Sequence, residues 1–219
     1  MLNENITVYL MALLLPNHNA IFLHVPKTGG LFITDYLRKI RVPFHMIGYR
    51  HSPADLIGWN HVNKFKFCFI RNPISWYRSY WQMRFGETGG NGGHLGIGQD
   101  LGGPHPLFHP TWEIDPYCMN RNLNKFVLNC AELDGYLVRM YKRFIGHGMY
   151  KVDYVGRFEH FHEDLMTVFD RIKLRYNKQD LIKAPKYNPS KKTREIGKVT
   201  SEILWKAEAQ YENIKTGWM

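Results

Sequence analysis

The chain has 219 residues, 44% hydrophobic and 15% aromatic, enough apolar surface for one packed domain and too much for an intrinsically disordered chain. Lys and Arg number 29 against 19 acidic residues, and this formal charge of +10 favours anionic partners such as a nucleotide, a nucleic acid or an acidic polymer. The basic residues are scattered, with only Lys191 to Arg194 forming a dense run, and no nucleic-acid-binding module is recognised, so the excess points to a charged pocket and away from nucleic acid.

Residues 7–15, TVYLMALLL, are apolar but too short to span a bilayer, and no Lys or Arg precedes them as the start of a signal peptide requires. They are expected to form a strand or a core helix in a soluble chain without a membrane anchor, which makes the Asn5-Ile6-Thr7 sequon incidental. The three cysteines, Cys68, Cys118 and Cys130, lack metal-ligand spacing and leave an odd thiol over, so a reducing, cytoplasmic setting is expected.

The next stretch, residues 20–40, reads AIFLHVPKTGGLFITDYLRKI. Ile21 to Val25 form a short apolar run that predicts a buried strand, Pro26 stops it, and Gly29 and Gly30 permit a tight turn. Ile33, Tyr36, Leu37 and Ile40 then recur at helical spacing. A helix that begins here leaves its first N–H groups without internal partners, and Lys27 adds a full charge beside them. The turn is therefore suited to an anion, a phosphate above all. Its lysine precedes the glycines, unlike the GxxxxGK[ST] order of an ATP-binding loop, which weighs against an ATPase or kinase. On this stretch alone an ordinary surface turn remains the alternative.

Residues 41–63 carry His45, His51 and His61 with Pro43 and Pro53, and predict a loop with short structured pieces that could wall an active site. FKFCFI, residues 65–70, predicts a second buried strand that includes the Cys68 thiol and runs into Arg71, Asn72 and Pro73. Proline suits the first turn of a helix, which is expected to continue to about Phe85. On that helix Ser75, Arg78, Ser79 and Gln82 share a polar face, and Ile74, Tyr77, Trp81 and Phe85 an apolar one.

Residues 86–106 concentrate the glycine (GETGGNGGHLGIGQDLGGPHP) and are expected to be a flexible loop, either a flap over an acceptor site or a disordered insertion. Trp112 to Arg143 predict one or two helices covering the sheet, with Phe126, Leu128, Leu133, Tyr136, Leu137 and Met140 as the apolar set. Val152 to Val155 predict a third strand, and a helix from about His160 to Leu174 turns Phe161, Leu165, Val168, Phe169 and Ile172 inward. Pro185 and Pro189 bracket a loop, and a closing helix is expected from Thr200, as N-cap, to Ile214. Repeated strand–helix units predict a single α/β domain over residues 1–219, a central parallel sheet flanked by helices with ligands at the carboxyl ends of its strands.

Two anion-ready turns, at Lys27 and Arg71, suit a ligand with phosphate at both ends. HVPKTGG resembles the 5′-phosphosulfate loop of the carbohydrate-type and bacterial sulfotransferases, and FCFIRNPISWYRSY resembles their 3′-phosphate motif. VDYVGRFEHFHEDL is similar to the strand–GRFE–helix element of the bacterial members. The resemblance covers roughly residues 20–85 and 150–215. It implies a P-loop NTPase-like fold and transfer of the sulfuryl group of 3′-phosphoadenosine 5′-phosphosulfate (PAPS) to an acceptor hydroxyl or amine, a sugar or other small acceptor, leaving adenosine 3′,5′-bisphosphate (PAP), with no metal required. Lys27 would neutralise the leaving phosphate, the backbone of Thr28, Gly29 and Gly30 would hold its oxygens, and Arg71 and Ser79 would hold the 3′-phosphate.

GYRHSPADLI is similar to the histidine-bearing stretch of these relatives, which nominates His51 as general base ahead of His45 and His61. Lys191 and Lys192 fall where relatives carry a basic loop over the nucleotide, a solvated charged face being the alternative. Arg157 and Glu159 are read as structural, the arginine pairing with a carboxylate near the sheet end, or touching the cofactor instead. The chain departs from the family pattern at Leu31 and Phe32, where relatives place a hydroxyl residue, and at Trp76 and Trp81, where an arginine and a tyrosine are expected. Two rivals to the enzyme stay open: a catalytically silent PAPS- or PAP-binding protein, and a small-molecule kinase using ATP and magnesium.

Overall fold

The computed structural model describes residues 12–48, 51–85, 110–185 and 194–216. Its centre is a five-stranded sheet of β1 (Ala12–Leu15), β2 (Ala20–Leu23), β3 (His45–Ile47), β4 (Phe65–Ile70) and β5 (Tyr154–Arg157), in the order β3-β1-β2-β4-β5. Around it lie α1 (Gly30–Lys39), α2 (Pro73–Phe85), α3 (Ile114–Tyr117), α4 (Leu123–Ala131), α5 (Tyr136–Ile145), α6 (Phe161–Arg171), α7 (Lys178–Lys183), α8 (Lys198–Ala207) and α9 (Tyr211–Thr216). The fold is α/β, as the alternation of strand and helix patterns predicts.

The sheet is mixed, which corrects the expectation of a parallel one. β2, β4 and β5 pair in parallel, but β1 runs antiparallel to both β2 and β3. The reason is the connection: only Pro16–Asn19 joins β1 to β2, a single 3-10 turn closed by Asn19 at φ 47°, too short for the crossover that parallel neighbours need.

β2 and β4 read as unbroken apolar runs because helices cover both faces of the sheet. Phe22, Phe67 and Phe69 pack with Ile33 and Leu37 of α1, Leu165, Val168 and Phe169 of α6 and Leu181 of α7. Ile21, Leu23, Cys68 and Ile70 point the other way, into Trp76 and Tyr77 of α2, Phe126 of α4, Leu137 and Tyr141 of α5 and Leu204 of α8. The Cys68 thiol is fully buried there, and that burial raises its pKa well above the ordinary range.

α2 is wrapped more completely than a two-faced helix. Its polar face of Ser75, Arg78, Ser79 and Gln82 is partly exposed as expected, yet Trp76, Tyr77, Tyr80, Trp81 and even Arg84 are buried. The closing helix is two helices, and its N-cap is Gly197 in place of Thr200, which is buried. The break falls at Glu208, whose carboxylate leaves its own helix to cap another. Its Oε1 and Oε2 each accept at 3.0 Å from the N–H groups of Leu137 and Val138 at the head of α5, and Tyr77 Oη donates to it at 2.8 Å. Among the described residues no helix is long and apolar enough to cross a membrane. The sequon, the glycine-rich stretch 86–106 and Lys191 and Lys192 lie outside the described residues.

Candidate anion site at the carboxyl ends of β2 and β4

Two loops meet at the ends of the central strands because β2 and β4 are parallel neighbours, Leu23 opposite Cys68. The first leaves β2 through His24, Val25 and Pro26 and enters α1. It is tightly wound: Lys27 sits at φ 64° and Gly29 at φ 91° as N-cap of α1, while Thr28 Oγ1 donates to Val25 O at 2.9 Å. A positive φ is uncommon for a lysine, so the loop holds this residue where it would not settle by itself. Gly29 and Gly30 are also steric requirements. A Cβ on Gly29 would lie 2.6 Å from the Phe161 ring, and one on Gly30 2.1 Å from the His24 ring. The head of α1 has no side-chain cap, so its first N–H groups face the loop with the helix dipole behind them.

The second loop leaves β4 at Arg71. Its guanidinium donates from Nε to Ser75 Oγ at 2.9 Å and from Nη1 to the Lys27 carbonyl at 3.2 Å, and it lies over the Phe158 ring at 4.2 Å from the centroid. One buried hydroxyl fixes the backbone of that residue. Tyr141 Oη accepts the Arg71 N–H at 3.1 Å and donates to the Arg71 carbonyl at 2.8 Å. Arg71 is thus held at both ends, main chain by α5 and side chain by α2 and the Lys27 loop.

Two cations consequently share one corner. Burial first, and repulsion from Arg71 second, lower the pKa of Lys27 from 10.5 to about 8. Burial also lowers that of Arg71, with Tyr141 and Glu159 acting in the opposite sense. No carboxylate contributes to Lys27, and among the described residues its ammonium has no ion-pair partner. A partly buried lysine beside an arginine, with no carboxylate acting on the lysine itself, makes this corner a candidate for an anion.

His51 completes the corner. It is buried, stands at φ 51°, and its Nδ1 lies 2.9 Å from the carbonyl oxygen of His24, three residues before Lys27. A carbonyl can only accept, so Nδ1 carries the proton and Nε2 is the basic nitrogen of the neutral ring. The His24 ring meets the His51 ring edge-on, centroids 4.7 Å apart, and itself stacks on Phe22 at 5.8 Å.

Of the residues expected from sequence, the structure gathers Lys27, Thr28, Gly29, Gly30, Arg71 and His51. Comparison of the chain with models of protein families, with curated proteins and with solved structures finds no match. Ser79 lies one turn beyond Ser75 on the part-exposed face of α2, and its hydroxyl bonds to no other described residue. Ser75, nearer the helix head, is the hydroxyl that Arg71 meets. His45 lies on β3, at the far edge of the sheet from β4, and His61 lies in the 3-10 turn Trp59–His61. Arg157 contributes its main-chain N–H to Asp164 Oδ2 at 2.6 Å, and among the described residues its guanidinium forms no ion pair, contrary to the pairing expected of it. Arg78 pairs with Glu195, at 3.0 and 3.1 Å, and Arg194 lies 5.6 Å from the Trp81 ring, fixing the start of the last described segment against α2. Trp76 is buried and donates from Nε1 to Pro26 O at 2.8 Å, bracing the Lys27 loop.

His24 and Tyr141 were not singled out by sequence, and Ser75 was named only as one of the polar face of α2. His24 had a signal: it is the one polar residue in the apolar run IFLHV, and a buried polar residue at a strand end is worth explaining. Tyr141 had none, since it is one aromatic among many in an amphipathic helix.

Proposed function

We propose that the chain is a PAPS-dependent sulfotransferase built on a P-loop NTPase-like frame, with β2, the Lys27 loop and α1 as its 5′-phosphosulfate seat. The observation that carries this reading is the Lys27 ammonium: partly buried, next to Arg71, without a carboxylate of its own among the described residues, and beside the uncapped head of α1. The resemblance of HVPKTGG and IRNPISWYRS to the sulfotransferase motifs names the anion, and the meeting of the two loops in one corner supports a ligand that spans them.

In this reading an acceptor hydroxyl attacks sulfur in line with the bond to the 5′-phosphate oxygen. The new O–S bond forms as the old S–O bond breaks, the hydroxyl proton passes to His51 Nε2, and the negative charge left on the phosphate is met by Lys27 and the first N–H groups of α1. Donors already fixed by the fold need no reorganisation as that charge develops, which is where such a site gains rate. The acceptor is a sugar or another small hydroxyl compound.

A silent PAPS- or PAP-binding protein is the second reading, favoured by the apolar Phe32 and Trp76, which turn into the core where relatives offer polar groups. Incubation with labelled PAPS and a panel of hydroxyl acceptors separates the two. The enzyme transfers label to at least one acceptor, and His51→Ala loses that turnover while still binding PAP. A protein that binds PAP but transfers label to water and acceptors no faster than His51→Ala is a binder.

A further inference from the structure

Glu159 stands just past β5, in the 3-10 turn Phe158–His160, facing the head of α2. Its Oε1 accepts the main-chain N–H of Asn72 at 2.8 Å and lies 3.5 Å from Ser75 Oγ, the hydroxyl that takes Arg71 Nε. The neighbouring Phe158 carries the Arg71 guanidinium on its ring. The carboxylate therefore takes the Asn72 N–H and lies beside the same Ser75 hydroxyl that receives Arg71 Nε. Its choice of partner is informative. Glu159 favours the Arg71 charge from a distance, yet among the described residues the two form no ion pair, and the carboxylate accepts instead the N–H of Asn72, the residue that leads into α2. Glu159 is moreover exposed, on a side a dissolved ligand can reach, unlike Glu208, which caps α5 from within the core.

We propose that Glu159 is a resident rival of the nucleotide's 3′-phosphate, a specificity-determining residue that occupies the head of α2 when the nucleotide is absent and opposes the second phosphate when it binds. This rests on the reading of the corner as a PAPS site. The 3′-phosphate must share Arg71 and the α2 head with a like charge, so Glu159 weakens the hold on PAP and hastens its departure. The 5′-phosphate end, seated at Lys27 on the neighbouring loop, is not affected. The device discriminates by phosphate count and does not alter the chemistry at sulfur.

The test is calorimetric titration of wild type, Glu159→Gln and Glu159→Ala with PAP and with adenosine 5′-monophosphate, which lacks the 3′-phosphate. Glu159→Gln keeps the shape and removes the charge, and Glu159→Ala removes both, so a change common to the two belongs to the charge. The expected result is PAP binding tightened roughly tenfold in both variants, as loss of one nearby like charge under solvent screening brings, with adenosine 5′-monophosphate binding unchanged. Unchanged or weaker PAP binding in variants that unfold like wild type overturns the proposal, and so does equal tightening of both nucleotides. If neither wild type nor variants bind PAP, the nucleotide reading itself falls and takes the rival with it.

Discussion

Replacing Lys27 by methionine should make the protein more stable at neutral pH while removing its affinity for the nucleotide. The folded state lowers the Lys27 pKa from 10.5 to about 8, chiefly by burial and then by repulsion from Arg71. At ~1.4 kcal/mol per pH unit that drop amounts to roughly 3 kcal/mol, and about 2 kcal/mol remains once allowance is made for the water that reaches a partly buried side chain. The folded state holds this proton more weakly than the unfolded state does. Below pH 8 both states are protonated and the full destabilisation is present. Between pH 8 and 10.5 unfolding takes up a proton, so stability rises with pH across that window. Lys27→Met has no such proton. Urea denaturation of the two proteins from pH 7 to pH 10.5 should show the variant ahead by about 2 kcal/mol at pH 7, with the gap closing towards pH 10.5. Lys27→Arg keeps the charge throughout and should show no such closing gap. A methionine variant equal to or less stable than wild type at pH 7, with a gap that does not change with pH, would refute the claim that this cation is held against its own solvation.

Two further substitutions probe how the corner is built. Tyr141→Phe removes the hydroxyl that serves both the N–H and the C=O of Arg71 and should lower stability by roughly 2–4 kcal/mol, two poorly solvated backbone groups being left unpaired; a loss below about 1 kcal/mol in urea denaturation would contradict that role. Gly30→Ala would bring a Cβ 2.1 Å from the His24 ring and should lower stability by about 1–3 kcal/mol, with much of that recovered when His24 is also replaced by alanine. Strict additivity of the two changes would show that the His24 ring is not what the glycine accommodates.

How much of this was legible beforehand follows from which forces leave a local trace. β2 and β4 announce themselves because strands covered on both faces must be apolar throughout, and Pro26, Gly29 and Pro73 mark where they give way to helices. β3 leaves no such trace. His45 and Met46 are exposed, and three residues at a sheet edge have neither alternation nor length. The direction of β1 was readable in principle from the length of Pro16–Asn19, but only once β1 was known to be a strand, and TVYLMALLL suits a helix as well. The seat of Lys27 is a local matter of strand, turn and helix head. The orientation of Arg71 is a tertiary one, set by Tyr141 from α5, by Ser75 and by the Lys27 carbonyl. Glu208 shows the same limit: what reads as one closing helix is two, because a carboxylate there finds the head of α5, 70 positions away in sequence from Val138.

The central claim, that Lys27 and Arg71 grip one doubly phosphorylated adenosine, is tested most directly by titrating the protein with PAP at pH 7 in a calorimeter. The account predicts saturable one-to-one binding by wild type, lost in Lys27→Met and weakened at least about tenfold in Arg71→Ala, the share of one charge-assisted phosphate contact. Absence of heat and of competition with wild type, or a Lys27→Met variant that binds PAP as wild type does, would contradict it.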